Sequence, residues 1–165
     1  MTDWIAEIDD AAGRIKGYVR RTAVTRLNLS GLDRPIEVKL EFTQHTGSFK
    51  ARGAFNTLLS GGVPEGGVVA ASGGNHGAAV AYAAARLGIP ARIFVPEMAG
   101  PTKIALIERT GADLTVVPGS YADALAAALD YEAATGAMVL TFTLYFWPSS
   151  LSVFMRPMSA ILAAV

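Results

Sequence analysis

The sequence predicts an α/β fold, a parallel twisted sheet with flanking helices, and three observations carry that prediction. Short apolar runs alternate with helical patterns from Val68 onward. Glycines stop the helical patterns at Gly88, Gly111 and Gly136. The helical stretches are also long enough to cross from one parallel strand to the next, as β-α-β units require. At 165 residues the chain can bury one real core.

Taken in order, Thr2 or Asp3 is a plausible N-cap for an amphipathic first helix, with Ile5, Ile8, Ala11, Ala12, Ile15 and Val19 at helical spacing. Residues 35–42 alternate Ile36, Val38, Leu40 and Phe42 with charged Glu37, Lys39 and Glu41, the pattern of a half-exposed strand. Residues 48–59 read as a helix capped by Ser48 and ended by Ser60-Gly61-Gly62. There follow a strand at 68–71, a helix at 76–87, a strand at 91–95, a helix at 101–109 opening on Pro101, a strand at 114–117 and a helix at 121–135. Alanines at 78, 79, 81, 83, 84 and 85 let the helix at 76–87 lie close to the sheet, which packing alone explains.

Two stretches carry chemistry. The first, Thr43-Gln44-His45-Thr46-Gly47-Ser48-Phe49-Lys50-Ala51-Arg52-Gly53-Ala54-Phe55-Asn56, puts a lysine where a glycine-containing loop gives way to a helix. Only a neutral ε-amine attacks a carbonyl, and partial shielding from water lowers a lysine pKa, so Lys50 is the candidate Schiff-base residue. The alternative is a helix-start lysine reaching into solvent, the usual fate of lysines. Lys39 is its nearest rival and sits in a polar alternating position, which reads as solvated. Arg52 reads as an ion-pairing residue that ties its helix to carboxylates rather than as a catalytic one. The second stretch, Ser72-Gly73-Gly74-Asn75-His76-Gly77, joins a strand to a helix N-terminus, where backbone N–H groups can cradle a carboxylate or phosphate.

The two stretches in this order resemble the serine/threonine dehydratases (threonine ammonia-lyases) of the fold-type II pyridoxal-phosphate enzymes, over residues 18–136. The resemblance implies the first part of a tryptophan synthase β-like fold and pyridoxal 5'-phosphate as cofactor. It implies that Lys50 carries the cofactor, that Asn75 hydrogen-bonds its phenolic oxygen and that Phe49 packs beside it. Ser72, Gly73, Gly74, Asn75 and His76 would take the substrate carboxylate. The implied reaction is β-elimination of water from L-threonine or L-serine, giving a 2-oxo acid and ammonia, with Lys50 also serving as the base at Cα. Relatives that racemise serine place a second serine where this chain has Gly73. Those that make cysteine by β-replacement differ at Ala51 and His76. A dinucleotide site is a weaker rival, because the loop lacks G-x-G-x-x-G spacing. Lys103 resembles a family position without a catalytic role, and Ala23 stands where the family has a proline.

Composition narrows the partners. Fourteen basic residues balance fourteen acidic ones, so nothing favours nucleic acid. The absence of cysteine excludes disulfides and thiolate metal sites, and His45 and His76 make no ligand cluster, so no metal is expected. The expected partner is a small-molecule amino acid, with a homo-oligomer compatible, and the acidic N-terminus is unlike a signal peptide, which fits a cytoplasmic enzyme. Every glycine and acidic residue lies at or before Gly136, and the remainder carries one charge, Arg156. The division expected is therefore an incomplete enzyme-like region at 1–136 and an apolar tail at 137–165 unlike the family, read as an aberrant end on a truncated enzyme, with a strand at 138–146. Residues 138–155 are uncharged and near the length of a membrane span, but Pro148-Ser149-Ser150 interrupts them and a membrane-tethered remnant is the less favoured reading. With no glycine after Gly136, the expectation is that the family's later phosphate-holding loop is missing from these residues. Impaired turnover, or none, is the expectation that stands beside the enzyme reading.

Overall fold

A computed structural model describes residues 4–31 and 33–141. Its centre is a four-stranded parallel sheet in the order β5-β4-β3-β6, formed by β3 (Val68–Ala71), β4 (Ala91–Pro96), β5 (Asp113–Val117) and β6 (Met138–Val139), while β1 (Val24–Leu27) and β2 (Ile36–Lys39) pair separately. The helices are α1 (Trp4–Ile15), α2 (Lys50–Leu59), α3 (Asn75–Leu87), α4 (Pro101–Glu108) and α5 (Tyr121–Thr135). The predicted fold class is the observed one.

The near-continuous apolar run of β3 is buried on both faces, as a central parallel strand requires. Val68 and Ala70, with Ile93 and Val95 of β4, join a core built from α1, α2, α3 and α4. Their neighbours Val69, Ala71 and Phe94 turn the other way, onto Ala124 and Ala128 of α5. The side-chain period of two thus divides one run of residues between two layers. Phe55 of α2 is fully buried between Tyr18 and Tyr82, with ring centroids at 5.4 and 6.0 Å. Burying such a side chain contributes about 1.5–3 kcal/mol.

α3 lies close to the sheet because its inward residues are small: Ala78, Ala79, Ala81, Ala83 and Ala84 are all buried. Gly77 sets the closest approach, since a Cβ there would stand 2.3 Å from the Ser72 carbonyl oxygen. The left-handed residues Gly88 (φ 68°) and Gly136 (φ 70°) end α3 and α5 where the sequence places the stops.

Four local expectations change. α2 begins at Lys50 with Phe49 at its N-cap position, and Ser48 is extended (φ −157°, ψ 160°) and caps nothing. The strand expected at 35–42 ends at Lys39, because the chain turns at Leu40 into 3-10 turns at Glu41–Thr43 and His45–Gly47. β1 was not foreseen; its register, Val24 opposite Lys39 and Leu27 opposite Ile36, depends on pairing across a loop. Lys39, expected to be solvated, is half-buried, with Nζ 3.4 Å from the Thr22 carbonyl oxygen. Met138 and Val139 pair in parallel with Val68 and Val69, so the sheet continues past Gly136. The cap at Thr2 or Asp3, the strand expected beyond residue 141 and most of the apolar tail lie outside the described residues. Among the described residues no helix is long and apolar enough to cross a membrane.

Candidate active site

Two chain turns meet at the carboxyl ends of the sheet strands and the start of α2. In the first, Ser72 leaves β3 with its N–H still donated to the Phe94 carbonyl at 2.9 Å, and its Oγ accepts from the Gly74 N–H at 3.2 Å. Gly74 is the N-cap position of α3, and no side chain caps the helix. The N–H groups of Asn75, His76 and Gly77 have no i−4 carbonyl within α3, because they form its first turn. Of the amides that sequence reading offers to a carboxylate, those of Ser72 and Gly74 are thus engaged internally. Asn75 is exposed at the first helical position.

Gly73 leaves no room for a side chain. A Cβ there would stand 2.4 Å from the Ala99 Cβ and 3.2 Å from the Val95 Cγ1. Lys103, at the start of α4, reaches over the same loop, its Nζ 3.8 Å from where a Cβ on Gly74 would be. Sequence reading gave Lys103 no place at the site, and only the fold of α4 over the loop puts it there.

The second turn carries Lys50 at the first position of α2, half-buried, beside a half-buried Phe49. Burial, then the positive charge of Lys103, holds the Lys50 amine below its ordinary pKa, the direction a nucleophilic amine needs. His76 is also held below its usual range, by burial first and with Lys50 adding to it, against an opposing pull from the Leu140 carbonyl. Its Nε2 lies 2.9 Å from that carbonyl oxygen, so the neutral ring carries its proton on Nε2. The His76 side chain therefore holds Leu140 at the end of the sheet.

The turn before Lys50 is strained and strongly braced. Thr46 is left-handed (φ 62°, ψ 11°), which costs a β-branched residue about 1–3 kcal/mol. Gln44, only 2% exposed, grips the chain after α1: its Oε1 accepts from the Arg20 N–H at 2.9 Å and its Nε2 donates to the Arg20 carbonyl at 2.8 Å. Arg52, only 1% exposed, forks onto Glu41 with Nε and NH2 contacts of 2.9 and 2.8 Å and also donates to the Arg20 carbonyl at 3.0 Å. The ion-pairing role read for Arg52 is the one its geometry shows. Sequence reading assigned nothing to Gln44, which stands in the motif stretch and whose partner lies 24 residues away.

Near the half-buried amine, the Thr46 and Ser48 hydroxyls are buried and make no hydrogen bond. Buried hydroxyls are normally partnered, and an orphan pair flanking a left-handed turn beside a lysine fits an aldehyde-bearing cofactor with hydrogen-bonding substituents. The sequence model described as pyridoxal-phosphate dependent enzyme matches residues 15–143. The chain belongs to that family. It is similar to the L-threonine ammonia-lyase of Geobacter sulfurreducens, 36% identical over 137 residues, 79% of this chain and 34% of the relative. The L-threonine ammonia-lyase of Thermotoga maritima is 38% identical over 138 residues, 81% of this chain and 34% of that protein. Among solved structures, maize serine racemase superposes with a TM-score of 0.75 at 33% identity, over 83% of this chain and 43% of that one. The threonine deaminase of T.th. gives 0.72 at 34% identity, over 81% and 43%. The chain spans about a third of the length of these curated relatives, and pyridoxal phosphate is the cofactor of the family to which it belongs.

Proposed function

We propose that this chain carries the lysine side of a pyridoxal-phosphate site that eliminates water from L-threonine or L-serine, yielding a 2-oxo acid and ammonia. One observation carries the reading: a half-buried amine, Lys50, whose charged form is disfavoured, lies beside a strand-to-helix loop whose helix has no side-chain cap. In this reading Lys50 holds the cofactor covalently through Nζ, Asn75 orients its phenolic oxygen and Phe49 packs against it. The Ser72 hydroxyl and the backbone amides of Gly73, Asn75 and His76 bind the substrate carboxylate, with Gly74 holding the loop through its bond to Ser72, and the helix N-terminus favours the negative charge. The bound cofactor supplies an electron sink that makes the substrate Cα proton acidic. Lys50 would accept that proton and pass it to the departing β-hydroxyl, so that water leaves, and a second water would hydrolyse the remainder to the 2-oxo acid and ammonia. Region 1–136 supplies these groups. The family match runs on to residue 143, and the first residues past Gly136 close the sheet and hold His76.

Racemisation is the second reading, supported by the likeness to maize serine racemase. It needs a proton donor on the far face of Cα, where racemising relatives place a serine. Here that position is Gly73, and Ala99 fills the space a side chain would take. Elimination is therefore favoured. The test of the site is borohydride reduction of the purified chain mixed with pyridoxal phosphate, followed by peptide mapping. Lys50 is the residue expected to carry the reduced cofactor; a label on Lys16, Lys39 or Lys103 in its place overturns the reading.

A further inference from the structure

Tyr82 faces the lysine segment from α3, the helix whose first turn forms the carboxylate loop, and lies two turns beyond Asn75. Its hydroxyl is 3.2 Å from His45 Nδ1, and the two rings stack with centroids 4.9 Å apart and planes at 27°. Its ring also meets Phe55 of α2 edge-on, at 6.0 Å and 90°. His45 precedes the left-handed Thr46, and Phe55 lies five positions beyond Lys50. One side chain therefore touches the chain on both sides of the lysine. Upstream, Gln44 fixes the backbone at Arg20 and also accepts from the His45 N–H at 3.0 Å. Between that anchor and α2, the Thr46 and Ser48 hydroxyls make no bond, while the His45 side chain ties the turn to α3. A left-handed threonine persists only where its surroundings over-determine it.

We propose that Tyr82 is a positioning residue for Lys50: bonded to and stacked on His45 and packed edge-on against Phe55, it holds the strained turn at residues 45–48 and with it the presentation of the lysine. The inference rests on Lys50 as the cofactor lysine for its functional meaning, but the contacts stand without it. Burial, then Arg20 and Arg86, disfavours the charged form of His45, which leaves Nδ1 able to accept from the Tyr82 hydroxyl.

The test uses the purified chain without added cofactor. Amide hydrogen exchange is followed for the peptide spanning residues 44–50 and for peptides from β3 and β4, alongside the pH midpoint for acylation of Lys50. Three variants divide the contact: Tyr82→Phe keeps the ring and loses the bond, His45→Asn keeps an acceptor near the Nδ1 position and loses the stack, and Tyr82→Leu loses both. Tyr82→Phe is expected to speed exchange at 44–50 by about two- to tenfold, the range for one lost hydrogen bond, with β3 and β4 unchanged. Tyr82→Leu should go further, and the Lys50 midpoint should move up in both as water reaches the amine. Should Tyr82→Leu fail to fold, the two milder variants decide. Exchange that rises equally in all peptides, or a turn and a Lys50 midpoint that stay unchanged, overturns the proposal. A borohydride label at another lysine would strike the proposed function and leave this measurement standing.

Discussion

Arg52 shows how a single residue can brace a site without doing its chemistry. Its guanidinium ties the first turn of α2 to Glu41, Thr22 and the Arg20 carbonyl, three points that precede it by 11 to 32 residues. Burial alone would raise the Glu41 carboxyl, but the bonds from Arg52 and Thr22, with Lys39 adding charge, hold it below its ordinary value. Breaking a buried pair leaves an uncompensated charge, so Arg52→Ala is expected to destabilise by about 3–5 kcal/mol, and Arg52→Lys by part of that because the fork is lost. Urea midpoints measure this. Arg26–Glu37 is a useful contrast, since both side chains are largely exposed, and its removal should shift the midpoint by about 0–1 kcal/mol. Equal losses at the two pairs would show that Arg52 is not the brace described.

At the scale of elements, α3 is the part the site depends on most, because its N-terminus and its Tyr82 lie beside the lysine segment while its His76 holds Leu140 at the end of the sheet. Its distance from the sheet is set at Gly77, where a Cβ would collide with the Ser72 carbonyl, while Gly13 of α1 has nothing within 4 Å. Alanine is the better helix former at both positions, by about 0.5–1 kcal/mol. Gly13→Ala is accordingly expected to stabilise by about that amount, and Gly77→Ala to destabilise by about 1–3 kcal/mol through overpacking. Thermal melting of the two variants checks the pair, and a gain in melting temperature for Gly77→Ala would refute the close approach. α5 starts more conventionally, on a capping box in which Ser120 and Asp123 bond reciprocally. That signal was present in the sequence as a serine three residues before an aspartate.

For the whole molecule, acid should loosen the fold in two stages. His45 and His76 are both held below their ordinary value of 6.5, so the unfolded chain binds protons that the folded chain resists. Their contribution to stability is complete above that value and is lost as pH falls from it toward their folded values. Glu41 is depressed below 4.5, so its contribution disappears at lower pH still. Urea midpoints should therefore fall between about pH 7.5 and 5.5, either side of the ordinary histidine value, and the slope should flatten in His45→Asn and in His76→Asn. A midpoint that rose on acidification would contradict the sign of both shifts.

The sequence announces the alternation of strands and helices, because apolar periodicity and glycine stops are local signals that the chain carries wherever it lies. It also located Lys50 and the loop at residues 72–76, since a lysine at a loop-to-helix junction and a glycine pair before a helix are patterns of neighbouring residues. The folded chain sets the pairing of β1 with β2, the grip of Gln44 on Arg20 and the reach of Lys103 over Gly74. It alone brought Ala99 against Gly73 and Tyr82 against His45. Each of these joins residues that are distant in the chain or on different elements, and no periodicity encodes which distant residue will arrive there. Packing decides it, because the small side chains of α3 draw that helix onto the sheet and so bring its tyrosine, its first turn and the start of α4 up to the lysine.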